Sequence, residues 1–402
     1  MKKSLRKVID VNRDKCVNCH ACITACPVKF CNDGSQDAVE INPDLCIACG
    51  SCLKACSHGA RLPIDDCDEF IRDLNGGAKI VAVVAPAVAA NFPGRYLNLN
   101  GWLKRIGVKA VFDVSFGAEL TVKSYLEHIK NNSPKTVIAQ PCPAIVTFIE
   151  VYKPELLKYL APADSPMLHT IKMIKRFYPE YRDHRVAVIS PCLAKKREFD
   201  ETGLGDYNVT YQTISDYLAK QKVSLSDFPS VDYDNPPAER AVLFSTPGGL
   251  LRTAAREVPD MYDHTRKIEG VQTIYHYLQK LPENIANGTA SLLIDCLNCE
   301  MGCNGGPATL NTDKSPDEIE SLIEQRNREM QERHRKRGPF AKQRARGQLR
   351  RSLEKYWENG LYSRTYLDLS DNNDIRKPNA KELNDVYKLM HKYSDEDIYN
   401  CS

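Results

Sequence analysis

The sequence predicts an α/β protein with a small cysteine-rich domain in front and a charged helical segment behind. Three observations carry this. One cysteine pattern occurs twice near the N-terminus. From residue 79, short β-branched or aliphatic runs alternate with helix-like stretches. Beyond about residue 312 the chain is charged, with few strand signals. The implied divisions are residues 1–75, 76–312 and 313–402, and 402 residues give room for two or three cores.

The front domain follows from residues 16–27, "CVNCHACITACP", and 46–57, "CIACGSCLKACS". Each reads C-x2-C-x2-C-x3-C, with matching cysteines 30 positions apart and Asp14 and Asp44 at the same offset. Three thiolates two residues apart wrap three corners of an iron–sulfur cube, and the fourth, on the next helix, points to the other cluster. Cys16, Cys19, Cys22 and Cys56 are therefore expected to hold one [4Fe–4S] centre, and Cys46, Cys49, Cys52 and Cys26 the second. Ser57 stands where proline usually follows the motif. Cys31 and Cys67 are expected as unligated buried thiols, and His20 and His58 as surface or flanking residues. Two clusters in tandem form an electron wire, which requires a terminus.

The middle region carries the runs "KIVAVVAP" (79–86), "AVFDVS" (110–115), "KTVIAQP" (135–141), "RVAVISP" (185–191), "RAVLFS" (240–245) and "SLLID" (291–295). Helix-like stretches such as 118–131 and 166–178 separate them. Continuous apolar runs are what strands covered on both faces look like, so these are read as strands of parallel sheets. Three of them end on cysteine: "QPCPA" gives Cys142, "SPCLAKKREF" gives Cys192, and "CLNCEMGC" gives Cys299 and Cys303, with Cys296 just before. Ligands of open α/β sheets sit at the carboxyl ends of strands, so four thiols at three such ends point to a shared site. Pro141, Pro143 and Pro191 would stiffen the turns, and Gly302, Gly305 and Gly306 would let backbone approach a bulky group.

"PCPA", "PCLAKKREF" and "CEMGCNGG" resemble the three H-cluster signatures of the iron-only ([FeFe]) hydrogenases. The resemblance implies an H-cluster domain of two α/β lobes with parallel sheets. Cys142, Cys192, Cys299 and Cys303 would hold a third [4Fe–4S] cluster. Cys303 would bridge it to a di-iron azadithiolate subcluster carrying CO and cyanide ligands. It further implies that Lys195 hydrogen-bonds a cyanide and that Glu198 pairs with Lys195, an ammonium opposite an anionic ligand. Ala85 and Pro86 of "APAV" match a stretch lining the distal iron. H2 and protons would be the substrates, with an unidentified redox partner protein.

The sequence departs from that family at the proton route. Pro141 takes the place of the thiol that passes protons to the cofactor amine, and Ser190 and Leu297 replace the motif methionines. An ungapped count from "FDVSFGAELTV" places Tyr125 and His128 where the relay glutamates stand. Tyr125, Glu127 and His128 are read either as a substitute path or as plain helix surface. This pattern resembles the sensory branch of the family, whose members report H2 to signalling partners. Cys401 is either the first ligand of a further cluster motif leading to a signalling domain or a free thiol.

The tail is expected to wrap the middle domain, with Tyr356, Trp357, Tyr362 and Tyr366 as anchors. Its basic stretch "ERHRKRGPFAKQRARGQLRR" (332–351) lacks aromatic interleaving, so nucleic acid is not an expected partner. A net charge of +3, sixteen cysteines in metal-type spacings and no signal peptide predict a protein of a reducing cytoplasm. The longest apolar run, residues 80–90, falls short of the ~20 residues a membrane span needs. A homodimer remains compatible with all of this. Three functions compete: a slow H2-binding sensor, a metabolic hydrogenase with a rerouted proton path, and an iron–sulfur assembly or electron-transfer protein without the di-iron centre.

Overall fold

The structure, a computed structural model, describes residues 3–335, 341–375, 379–394 and 397; the cysteine at 401 lies outside the described residues. The N-terminal part holds four short strands, β1 (Ile9–Val11), β2 (Asn32–Asp33), β3 (Glu40–Ile41) and β4 (Arg61–Pro63). β1 pairs with β4 and β2 with β3, both antiparallel. The sequence repeat returns in the backbone. Asn18 and Ala48, and His20 and Gly50, take left-handed conformations at positions 30 apart. Such alternations turn successive N–H groups inward and form the concavities that cradle anionic groups, iron–sulfur clusters among them.

Seven further strands build two parallel sheets. They are β5 (Ile80–Val84), β6 (Val111–Asp113), β7 (Val137–Ile138), β8 (Arg185–Ser190), β9 (Tyr207–Thr210), β10 (Thr265–Glu269) and β11 (Leu293–Leu297). One sheet has the order β6-β5-β8-β9, the other β10-β11-β7. Every side chain of β5 is buried, as expected of a strand with helices on both faces. Beside it, the helix Val114–Asn132 starts where the Asp113 carboxylate accepts from the Ser115 amide, and Pro166–Phe177 starts on Ser165 with proline at its first turn.

One predicted strand is corrected. "RAVLFS" is a 3-10 turn, Ala241–Ser245. The buried Glu119 carboxylate accepts from the amides of Glu239, Arg240 and Ala241 and is paired with Arg256 at 2.7 Å. It thus satisfies the free N–H groups that open a helical turn, and a short apolar run does not by itself distinguish that turn from a strand. Two strands lacked a readable signal. β9 is "YNVT", buried although half polar, and β10 is the charged edge "TRKIE".

The tail packs along the middle domain through Pro316–His334 and Ala341–Lys355. Tyr356 stacks on Tyr178, and Tyr362 stacks on His169 with ring centroids 4.4 Å apart. Lys123 lies over Trp357, and the Tyr366 hydroxyl donates to the Ala161 carbonyl at 2.5 Å. The N-terminal part is docked by Arg197, a buried member of the basic "KKR" run. Its guanidinium donates to the carbonyls of Arg6, Cys46 and Pro43. At Gly50 the contact is closer still: a Cβ there would lie 2.3 Å from Pro307.

Two predictions follow from this packing. Arg197→Ala strands buried carbonyls without donors and should cost ~2–4 kcal/mol, with Arg197→Lys recovering only part, read as the thermal unfolding midpoint. Burial pushes His169 down to about 3. The unfolded imidazole titrates near ~6.5, so between these values the unfolded chain binds the extra proton and stability rises with pH. Acidification from pH 6.5 to 4.5 should therefore lower the wild-type midpoint more steeply than that of His169→Gln, the gap being roughly 2–3 kcal/mol.

Candidate metal and hydrogen-activating centre

The carboxyl ends of the two sheets face each other across one cavity. Strand β7 runs through Pro141 to Cys142, the residue before the helix Pro143–Tyr152. Strand β8 delivers Ser190 and Cys192, and β11 leads into the turn that carries Cys299 and Cys303. Together these thiols line a cavity with ≈ 730 Å³ of atom-free space, part of it open to solvent. That is within the ~300–1,000 Å³ usual for cofactor sites. Ala85, Pro86, Pro141, Ser190, Lys195 and Leu297 line the same cavity, alongside apolar Val114, Met167 and Phe244.

Cys142 is buried and Cys192, Cys299 and Cys303 are half-buried, and desolvation pushes Cys192 up to about 11 and Cys303 up to about 12. Four neutral thiols could sit here unaided; four thiolates need a compensating cation. Among the described residues no group of three or more His, Cys, Asp or Glu converges as a single metal ion would require. All four cysteines do line one cavity.

The donor set also fits an anionic group. Lys195 Nζ reaches the cavity, donates to the Pro141 carbonyl at 3.1 Å and contacts Glu198 at 2.6 Å. Glu198 is fully buried and also accepts from Ser165 Oγ at 2.9 Å and Arg364 at 2.7 Å. Arg364 continues to Glu201 at 3.0 Å. The sequence reading missed Arg364, Ser165 and Arg197.

A second cavity lies in the N-terminal part, lined by Cys26, Cys46, Cys49 and Cys52, the set expected for the second cluster. Cys31 lines it too, 3.6 Å from the Cys26 sulfur, and Cys67 is buried at the start of the helix Cys67–Asn75. At the other expected cluster, Arg61 donates to Cys22 Sγ at 3.0 Å and the Ala60 amide to Cys56 Sγ at 3.3 Å. Cys16 is half-buried and Cys19 exposed, while His20 and His58 are both exposed. Asn298 joins the two cavities. It donates to the Cys49 carbonyl at 3.4 Å and to Cys299 Sγ at 3.3 Å, and is held by the Tyr275 hydroxyl at 2.6 Å.

One sequence reading changes and another is extended. Tyr125 is core rather than helix surface; its hydroxyl accepts from the Gln140 amide at 3.2 Å, and burial holds its pKa above the usual phenol value. Glu127 and His128 are half-exposed, with partners Lys123 and Asn132 on their own helix. The glycines also have a packing role: a Cβ at Gly302 would lie 2.4 Å from the Ser245 carbonyl, and one at Gly306, on the cavity wall, 2.6 Å from that of Pro191.

Comparisons with known proteins agree with this geometry. Residues 78–307 match the family model of the iron-only hydrogenase large subunit, C-terminal domain, and residues 8–63 that of a 4Fe-4S dicluster domain. The chain is 25% identical over 371 residues to iron hydrogenase 1 of Clostridium pasteurianum, covering 75% of this chain and 64% of that protein. It is 25% identical over 352 residues to the NADP-reducing hydrogenase subunit HndD of Solidesulfovibrio fructosivorans, covering 72% and 55%. It thus spans less than two thirds of either relative. In fold it resembles a variant [FeFe]-hydrogenase of Chlamydomonas reinhardtii, with TM-score 0.55 at 18% identity over 76% of this chain and 99% of that one. No helix among the described residues is long and apolar enough to cross a membrane. Because the hydrogenase model matches more than half of the 402 residues, on the segments that bring the four thiols together, the chain belongs to the iron-only ([FeFe]) hydrogenase family.

Proposed function

We propose that this protein binds H2 at an H-cluster and interconverts it slowly with protons and electrons (2H+ + 2e− = H2), serving as an H2 sensor. Cys142, Cys192, Cys299 and Cys303 would hold the cube of that centre, with Cys303 shared with the di-iron part. Cys16, Cys19, Cys22 and Cys56, and Cys46, Cys49, Cys52 and Cys26, would hold two further [4Fe–4S] clusters that carry electrons to or from an external redox partner. The bound group would supply the H2 chemistry itself. The chain supplies four sulfurs, a buried ammonium at Lys195 oriented by Glu198, and a largely apolar wall.

The observation that carries the slow, sensory reading is the proton inventory around the cavity. Proton transfer needs groups of matched pKa within hydrogen-bond reach. Pro141 offers only a carbonyl, and Lys195 already occupies it. Tyr125 is held neutral by burial and receives a backbone amide. Glu127 and His128 bond within their own helix. A metabolic role would require another route.

The decisive measurement is the infrared spectrum of protein matured with its di-iron centre. Bands of bound CO and cyanide are expected; their absence in a cluster-loaded sample would favour a plain iron–sulfur protein. Cys303→Ala should abolish those bands while leaving the paramagnetic signals of the two N-terminal clusters in place. Pro141→Cys should raise turnover by roughly 100-fold, the lower end of the ~10²–10⁴-fold that general acid–base groups supply. An unchanged rate would show that the missing thiol is not what limits the protein.

A further inference from the structure

Ser245 sits on the wall of the large cavity, in the 3-10 turn Ala241–Ser245 between Phe244 and Thr246. The residue is 2% exposed, and among the described residues its Oγ has no hydrogen-bond partner. Buried hydroxyls are almost always satisfied, and leaving one unpaired is destabilising. Every other polar side chain on this wall is engaged. Ser190 Oγ accepts from the Cys192 amide, Asn298 bridges Cys49 and Cys299, and Lys195 is tied to Pro141 and Glu198.

The protein supplies no partner for Ser245 Oγ, and Ser245 lines the cavity, so a group bound there is its candidate acceptor. We propose that Ser245 is a cofactor-binding residue whose hydroxyl donates a hydrogen bond to an anionic ligand of the bound centre, a cyanide nitrogen. This rests on the H-cluster reading given above. Ser245 lies on Ala241–Ser245 and Lys195 on the helix Lys195–Thr202, so the two donors come from different elements. Two donors on separate elements would grip a di-iron part tethered to the chain only through the proposed Cys303 bridge. With no onward partner, the hydroxyl cannot pass a proton to the surface, so it holds and orients rather than relays. Its backbone is fixed independently of the hydroxyl: the Ser245 carbonyl faces Gly302, and the turn is anchored through Glu119.

The test compares wild type, Ser245→Ala and Ser245→Thr, each matured with the di-iron centre, by infrared spectroscopy. In Ser245→Ala one cyanide band should move to lower wavenumber by several cm⁻¹, because the donor that drew charge from that ligand is gone. Ser245→Thr, which keeps the hydroxyl, should restore the wild-type position. Loss of the bands in Ser245→Ala with retention in Ser245→Thr would equally support the assignment. Identical spectra in wild type and Ser245→Ala would overturn it, as would loss of the bands in both variants, which would mark a steric role. Absence of bands in wild type would instead defeat the H-cluster reading itself, so the two failures are distinguishable.

Discussion

The buried carboxylate of Glu198 is the constraint on which the rest of the centre depends. It receives Lys195 from its own helix, Ser165 from the start of Pro166–Phe177, and Arg364 from the tail. A carboxylate fully out of water survives only when such donors surround it, and removing one partner of a buried pair typically costs about 3–5 kcal/mol. Arg364 shares that carboxylate and itself pairs with Glu201, so two cations and two carboxylates form one charge-balanced network that fixes Lys195 beside the cavity. The tail, 166 residues away in sequence, thereby takes part in positioning the site.

The same economy governs the electron side. The cavity holding Cys26, Cys46, Cys49 and Cys52 lies directly against the larger one, since Gly50 touches Pro307 and Asn298 spans Cys49 and Cys299. A side chain at position 50 would push these apart, and its left-handed backbone already favours glycine. Arg197 fastens the interface from the other side through three carbonyls, one of them that of Cys46. Clusters held in adjoining cavities would need no intervening carrier.

What the sequence made legible was local and periodic. The paired cysteine motifs carry their geometry in their spacing, and the left-handed residues at 18/48 and 20/50 repeat with it. Fully buried strands such as Ile80–Val84 announce themselves as unbroken apolar runs. The failures share a cause as well. "RAVLFS" is apolar because it is buried, and burial alone does not say strand; the capping carboxylate that makes it a turn comes from Glu119, far away in sequence. Arg197 looks like a solvated member of a basic run, yet its partners are carbonyls of the N-terminal domain. Arg364 has no local signature at all. Tyr125, which the sequence left either on a substitute proton path or on plain helix surface, is core because Val114–Asn132 is buried over most of its length.

The balance between electron and proton supply is the physical argument for the proposed reporting role. Electrons would have a short, cysteine-lined approach through the two adjoining cavities. Protons meet a wall on which each polar group is already committed to the protein or, at Ser245, has no neighbour leading outward. A catalyst selected for flux pays for such a wall in every cycle, since each turnover moves two protons. A protein that need only come to equilibrium with H2, and hold the resulting redox state long enough to be read, loses nothing by it and gains a slower leak of that state. Pro141 fits this logic: it removes a titratable thiol, stiffens the turn before Cys142, and leaves its carbonyl to anchor Lys195.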